Sequence, residues 1–180
     1  MRDSFDPDPD QADSDAVTAL ETQVEARAES QVQPLAPRPG QLLARGVCRH
    51  LLTHDFVTVE ELIPIGGLRV DVMALGPKGE VWVIECKSSR ADYLSDHKWQ
   101  GYMEWCDRFF WAVDADFPTE LLPDETGLII ADAYDAEIIR IGPESKLAGA
   151  RRKVMLQKFA RHAALRQHKA RDPQISLSAW

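Results

Sequence analysis

Two apolar runs joined by a short turn occupy residues 61–87, and they constrain the fold of this chain more than any other feature. Both runs are rich in β-branched residues, which is the signature of a β-hairpin. A three-residue loop of Pro77, Lys78 and Gly79 suits the break between them, with Gly79 left-handed and forming a bulge. The sequence therefore predicts two antiparallel strands centred on Lys78.

Three charged side chains interrupt these apolar runs. Asp71 and Glu85 lie symmetrically about Lys78, so the hairpin places them directly opposite each other and on one face. Lys87 shares that face because side chains alternate along a strand with a period of two. We expect four neighbours to point the other way: Val70, Val72, Ile84 and Cys86.

A pair of adjacent carboxylates favours a bound cation, because their repulsion otherwise raises one of the two pKa values. A hard divalent ion such as Mg²⁺ or Mn²⁺ suits oxygen ligands from Asp71 and Glu85. Such an ion could polarise a phosphoryl oxygen and activate a water, and Lys87 could orient that water or stabilise charge on the phosphate. The alternative is a solvated strand, with Glu85 and Lys87 as an exposed pair and Asp71 bridging to Arg69. The strongly apolar surroundings favour the buried site.

At these positions the chain resembles the PD-(D/E)xK nuclease superfamily, whose core is restriction-endonuclease-like. Further residues are similar to the bacterial MmcB-type DNA repair proteins: Lys87-Ser-Ser89, Asp92-Tyr93, Lys98-Trp99, Glu104–Arg108, Gly127–Tyr134 and Arg151–Lys153. The resemblance covers about residues 40–170 and implies a DNA repair role. It also implies that Asp71, Glu85 and Lys87 are the two acids and the lysine of the nuclease motif. The chain departs from the Pro-Asp dipeptide of the superfamily, since Val70 precedes Asp71.

The net charge of −8 conceals a strong asymmetry along the chain. Residues 1–39 carry three basic and nine acidic side chains, whereas residues 146–171 carry nine basic ones and no acid. An excess of this kind at one end favours a polyanionic partner for the basic segment. We therefore expect DNA to be bound by the C-terminal part of the chain.

The composition also limits the class of protein. No run approaches 18 apolar residues, and the N-terminus lacks a secretory signal, so we expect a cytoplasmic protein with no membrane span. Three widely spaced cysteines without a Cys-x-x-Cys pair indicate reduced thiols and argue against a zinc site.

The first part of the chain divides into an arm and the start of a domain. Residues 1–39 have few large apolar groups and are predicted to be a disordered acidic arm. Apolar residues at helical spacing predict a helix over 41–54, and a strand follows over 56–63, ending at Pro64. Because Glu60 and Glu61 are adjacent, only one can face the acid pair, and the spacing of the resembled family favours Glu61 as a third acidic ligand.

The rest of the domain, which we expect to span 40–171 before a tail at 172–180, alternates helices and strands. A helix capped by Ser88 or Ser89 is predicted to run to about Asp107, with Gln100 as a possible auxiliary site residue. A strand over 109–113 should pair in parallel with the strand that carries Glu85, and residues 127–131 and 137–141 predict a second hairpin. A basic helix over 146–169 ends the domain, and its candidate phosphate-binding residues are Arg151, Arg152, Lys153, Lys158 and Arg161.

Together these features predict an α/β domain of restriction-endonuclease type, with a mixed sheet flanked by helices. The leading hypothesis for function is a DNA repair protein that acts as a Mg²⁺- or Mn²⁺-dependent endonuclease on phosphodiester bonds. One alternative is a non-catalytic DNA-binding repair adaptor on the same fold, and another is a protein interaction module. Expected partners are DNA and either other repair proteins or a second copy of the chain.

Overall fold

The structure is a computed structural model that describes residues 36–175. The predicted acidic arm therefore lies almost entirely outside the described residues, as does the end of the predicted tail. Six strands form one sheet in the order of the chain: β1 (Val57–Ile65), β2 (Leu68–Leu75), β3 (Val81–Lys87), β4 (Arg108–Val113), β5 (Gly127–Ala131) and β6 (Ala136–Arg140). The helices are α1 (Pro39–Thr53), α2 (Arg90–Ser95) and α3 (Gly149–Arg171), with 3-10 helices at Trp99–Trp105 and Thr119–Leu121.

The central hairpin has the predicted register. Val72 pairs with Ile84 and Leu75 with Val81, so the same pairing continued by one residue sets Asp71 opposite Glu85. Gly79 has a φ of 84°, and its N–H donates to Gly76 O in the tight turn. A glycine suits this conformation because it has no Cβ to clash.

The sheet is mixed, as the alternation of hairpins and crossovers predicts. β1, β2 and β3 are antiparallel, β3, β4 and β5 are parallel, and β6 returns antiparallel to β5. The α/β class, the parallel pairing of β4 with β3 and the second hairpin are thus confirmed. In residues 36–175, no helix is long and apolar enough to cross a membrane.

Each face of the sheet has its own hydrophobic core. On the α1 side, Leu43, Val47 and Leu51 of α1 belong to one cluster with Val72, Ile84, Cys86 and Phe110 of the strands. On the α3 side, Met155 and Phe159 of α3 join Tyr102, Met73, Val83 and Trp111. Val70 was expected to share a face with Val72, Ile84 and Cys86, but it belongs to the α3-side core together with Leu62, its partner on β1.

Strand β1 is longer and less regular than predicted. It runs through Pro64 to Ile65, which an edge strand tolerates because a proline there costs no ladder hydrogen bond. Its pairing with β2 shifts between Leu62 and Ile65, and Glu61 has a φ of 57°. The alternation of buried residues changes phase at Glu60 and Glu61, as a bulge requires.

The single helix predicted between Lys87 and Asp107 is wrong. The Ser89 side chain caps the short helix α2, which ends at Ser95, and the chain resumes as the 3-10 helix Trp99–Trp105. Asp96 causes the break because its Oδ1 accepts the Lys98 N–H at 2.9 Å, a local side-chain bond that competes with a continuous helix.

Candidate active site

A cleft of about 710 Å³ opens where β3 ends, beside the start of β2. Asp71, Glu85 and Lys87 all line it, together with residues of β1, the first turn of α1 and the segment from Ser88 to Lys98. The structure thus brings together the three residues that the hairpin register selected.

The two carboxylates are linked through backbone amides of the opposite strand. Asp71 Oδ2 accepts the Cys86 N–H at 2.9 Å, and the Asp71 N–H donates to Glu85 Oε1 at 3.2 Å. Each acid is therefore held by the strand that carries the other. Only 3% of the surface of Glu85 is accessible to solvent, so this pair does not lie on a solvated surface.

Burial dominates the electrostatics of the pair. It raises the pKa of Asp71, against the opposing effects of the Cys86 amide and Lys87. Burial, followed by the charge of Asp71, raises the pKa of Glu85 to about 8. Two desolvated acids of this kind favour either a proton or a metal cation between them.

Lys87 is buried as well, with 6% of its surface accessible to solvent. Its closest acidic partner is Asp96. Its Nζ lies 2.7 Å from Asp96 Oδ2, 3.8 Å from Glu85 Oε2 and 5.8 Å from the centre of the Trp111 ring. Burial lowers the pKa of Lys87, but the hydrogen bond to Asp96 and the charge of Glu85 outweigh it and give a net increase. The pKa of Asp96 is lowered, because its bonds to Lys87 and the Lys98 amide outweigh burial.

These contacts contradict the solvated-strand alternative. Glu85 and Lys87 are both buried, and Arg69 pairs with Glu61 at 3.7 Å rather than with Asp71. Sequence reasoning missed Asp96, which it placed within a continuous helix. The available signal was the Ser95-Asp96 pair. Both residue types favour turns, because their side chains accept a hydrogen bond from the backbone amide two residues later.

Both glutamates of the β1 bulge line the cleft, although adjacent strand residues were expected to face opposite ways. Glu61 is half exposed and paired with Arg69, whereas Glu60 Oε1 lies 4.0 Å from Cys48 Sγ of α1. The irregular backbone permits this, because a bulge redirects side chains that strict alternation would separate. Glu61 stays the predicted third ligand, with Glu60 as a second candidate.

Gln100 does not reach the cleft. It is exposed on the 3-10 helix Trp99–Trp105 and is not among the residues that line the cavity. The break at Asp96 changes the phase of the segment, so positions expected on one helical face are turned elsewhere.

The five basic candidates on α3 differ in what they contact. Arg152 forms two hydrogen bonds to the buried Asp107, at 2.8 and 2.6 Å, and is therefore engaged within the domain. Arg151 pairs with Glu104 at 3.0 Å and lies over the Trp105 ring. Residues 146–171 contain no acid, but these two arginines pair with acids from outside that segment.

Of the other three candidates, Lys153 and Arg161 are exposed and Lys158 is partly exposed. Lys153 is exposed and has no ionic or hydrogen-bonding partner among residues 36–175. Lys158 donates to Ile63 O at 3.0 Å, and it lines a smaller pocket of about 260 Å³ together with Arg161 and Glu61. Since Glu61 borders both cavities, this basic part of α3 adjoins the main cleft.

The donor set of the cleft suits a hard divalent cation. Asp71 and Glu85 supply carboxylate oxygens, and Mg²⁺ typically takes one or two carboxylates while water and substrate phosphate complete its shell. Within residues 36–175, no group of three or more His, Cys, Asp and Glu side chains is placed to hold a metal ion. The fit therefore depends on the acid pair alone.

Comparison with known proteins supports the resemblance found in the sequence. A family model described as DNA repair protein MmcB-like matches residues 34–174. A solved structure, described as the SPO1766 protein of unknown function from Silicibacter pomeroyi, is 69% identical and has a TM-score of 0.77. The match covers 79% of this chain and 98% of that one. No curated protein has significant similarity to the chain. Because the family model spans most of its length, the chain belongs to the MmcB-like family of DNA repair proteins.

Proposed function

We propose that this protein is a metal-dependent DNA endonuclease on a restriction-endonuclease-like fold. The observation that carries the proposal is the pair of the half-buried Asp71 and the buried Glu85, with the ammonium of Lys87 beside it, in an open cleft. A binding surface for a polyanion gains nothing from two adjacent carboxylates, whereas a site for a cation and a phosphate does.

Asp71 and Glu85 would hold Mg²⁺ or Mn²⁺ through their carboxylate oxygens. When bound, such an ion supplies Lewis acidity toward a phosphoryl oxygen and a lowered pKa for a coordinated water. The protein itself would orient both acids for this role. The Cys86 amide holds the carboxylate of Asp71, and the Asp71 amide holds that of Glu85.

Lys87 would stabilise charge that develops on the phosphate and orient the attacking water. Its ammonium is held against Asp96 at 2.7 Å, so its position is set before substrate binds. Lys153, Lys158 and Arg161 would contact the DNA backbone without reading its sequence.

The second candidate is a DNA-binding repair adaptor without catalytic turnover. One observation favours it: Asp96 already neutralises the charge of Lys87, with 2.7 Å between the two charged groups. Under this hypothesis the cleft would bind a phosphate without hydrolysing it.

The test is cleavage of plasmid, single-stranded and branched DNA with Mg²⁺ or Mn²⁺, for the wild type and for Asp71→Asn and Lys87→Met. We expect the wild type to cut, and each variant to lose at least about 100-fold in rate. Lys98→Met is the matched control, since Lys98 also borders the cleft but is exposed, and it should retain activity. Salt-sensitive binding without cutting would establish the adaptor instead, and neither cutting nor binding would contradict both.

A further inference from the structure

An exposed tyrosine and two arginines form a second surface, on the α1 side of the sheet. Tyr134 lies in the turn between β5 and β6 and keeps 70% of its exposure. The guanidinium carbons of Arg45 and Arg49, both on α1, lie 5.7 and 5.9 Å from the centre of its ring. We call these three residues the Tyr134 patch.

The arginines of the Tyr134 patch are hydrogen-bonded to the backbone of the turn. Arg45 Nε donates to Ala133 O at 2.8 Å, and Arg49 donates to Tyr134 O at 3.4 Å. Each cation therefore contacts both the backbone and the ring of the turn. The side chains are ordered before any ligand arrives, which lowers the entropy cost of binding.

The turn itself is stabilised by hydrogen bonds to one of its own side chains and by close packing on α1. Asp132 Oδ1 accepts the N–H groups of Tyr134 and Asp135, at 2.6 and 2.9 Å. Gly46 of α1 packs directly beneath, and a Cβ added there would lie 2.2 Å from Asp132 O. Only glycine allows this approach, so the backbone at position 46 docks the turn onto α1.

One face of the tyrosine ring is left for a ligand. Arg45 and Arg49 are four residues apart, so they extend from the same side of α1 and approach the ring from the helix. The high exposure of Tyr134 means that the ring surface away from α1 faces solvent. An exposed aromatic face beside two cations suits a nucleobase that stacks and a phosphate that pairs.

Helix α1 connects the Tyr134 patch to the cleft. Arg38, immediately before α1, borders the cleft, and the spacing of seven residues places Arg45 on the same side of the helix. The helical rise sets these two positions about 10 Å apart. A strand that leaves the cleft along α1 would therefore meet Arg45, Tyr134 and Arg49 in turn.

We propose that the Tyr134 patch binds an unpaired DNA strand next to the cleft, stacking a base on Tyr134 while Arg45 and Arg49 hold its phosphates. The proposal rests on the proposed DNA-acting role of the cleft and names its substrate as DNA with a single-stranded segment. Duplex DNA alone does not suit the patch, because its bases are stacked on one another and present no free face.

The test is the binding of a fluorescently labelled 20-nucleotide oligothymidine and of a blunt duplex, measured by anisotropy in EDTA with Tyr134→Ala, Tyr134→Phe and the wild type. We expect Tyr134→Ala to weaken single-strand binding about ten-fold, as the loss of one stacked base does, and Tyr134→Phe to retain it. Duplex affinity should be unchanged in both. Ile139→Ala, at an exposed residue of β6, is the control for surface change and should bind like the wild type.

Three results would overturn the proposal. They are single-strand affinity unaffected by Tyr134→Ala, an equal loss for duplex and single strand, and no single-strand binding by the wild type. Because this assay needs no cleavage, its failure is distinct from an absence of nuclease activity, and thermal unfolding of each variant checks the fold.

Discussion

The residues of the cleft bring four charged side chains together, two of them buried and two partly buried. Asp71, Glu85 and Lys87 lie within one hairpin, and Asp96 joins them from the following segment. Burial destabilises the ionised form of both carboxyl groups of the hairpin, as their raised pKa values indicate. The hairpin therefore bears a destabilising cost that a bound cation would offset.

Glu85→Gln should stabilise the metal-free protein at pH 8 but not at pH 5. A carboxyl whose pKa is raised on folding binds more protons in the folded state, so stability falls as the pH rises from the usual carboxyl range toward about 8. Because the variant lacks this titrating group, its free energy of unfolding at pH 8 should be higher by on the order of 2 kcal/mol, measured by urea unfolding in EDTA. Glu120→Gln, at an exposed glutamate, is the matched control. An equal effect of Glu85→Gln at the two pH values would contradict the assignment.

Asp96→Asn should destabilise the protein by about 2 kcal/mol, because it leaves the buried ammonium of Lys87 without its nearest counter-charge. The amide oxygen can still accept the Lys98 N–H, so the local turn is retained. In a Lys87→Met background the same change should cost less than about 0.5 kcal/mol, as a double-mutant cycle by urea unfolding would reveal. Equal costs in the two backgrounds would mean that Asp96 acts only through the turn.

At the scale of elements, Asp107 connects the C-terminal part of the chain to the sheet. Its two carboxylate oxygens accept the N–H groups of Val81 and Leu147, both at 2.8 Å, and the guanidinium of Arg152. The start of β3, the segment before α3 and α3 itself thus meet at one buried carboxylate. Arg152 acts within this junction, so it differs from the cations of α3 that the proposed function assigns to the DNA backbone.

Arg152→Ala should therefore destabilise the fold by about 3 kcal/mol, since it leaves the buried carboxylate of Asp107 without its cation. Lys153→Ala, one residue away and exposed, should change the unfolding free energy by less than about 0.5 kcal/mol. Guanidinium unfolding of both variants measures the difference. A small effect of Arg152→Ala on stability combined with a large one on DNA affinity would return Arg152 to the phosphate-binding set.

At the scale of the whole molecule, the net charge of −8 means that any affinity for DNA must come from local basic surfaces. The described structure places two of them beside the cleft: the middle of α3 with Lys158 and Arg161, and α1 with Arg45 and Arg49. They lie on opposite sides of the sheet, so a bent or partly unpaired DNA could contact both.

Lys153→Gln should reduce the salt dependence of duplex binding. Each phosphate contact releases counterions and contributes about −0.9 to the slope of log affinity against log salt, so the slope should become shallower by about that amount. Arg151→Gln should have a smaller effect, because Arg151 already pairs with Glu104. Anisotropy titrations from 50 to 200 mM salt, a range over which such binding falls steeply, test both variants. Identical slopes for Lys153→Gln and the wild type would exclude Lys153 from the interface.

Much of the fold could be predicted because its signals are local. The alternation of side chains and the Pro77-Lys78-Gly79 loop determine the hairpin register over a few residues, and they place Asp71 opposite Glu85. The strand and helix types followed from periodicity in the same way. The bulge at Glu61 and the break at Asp96 were missed, since each departs from the period that the prediction assumes, and only the Ser95-Asp96 pair signalled the break.

The sequence by itself determined the hairpin, the six-stranded α/β arrangement and the acid, acid, lysine set, because turn chemistry and side-chain period act between near neighbours. Only the tertiary structure decided which charges are buried and which partners they have. Lys87 pairs with Asp96 across the short helix α2, and Arg152 pairs with Asp107 across 45 positions of the chain. Such pairings depend on how elements pack, and a buried charge must find a partner wherever the fold supplies one.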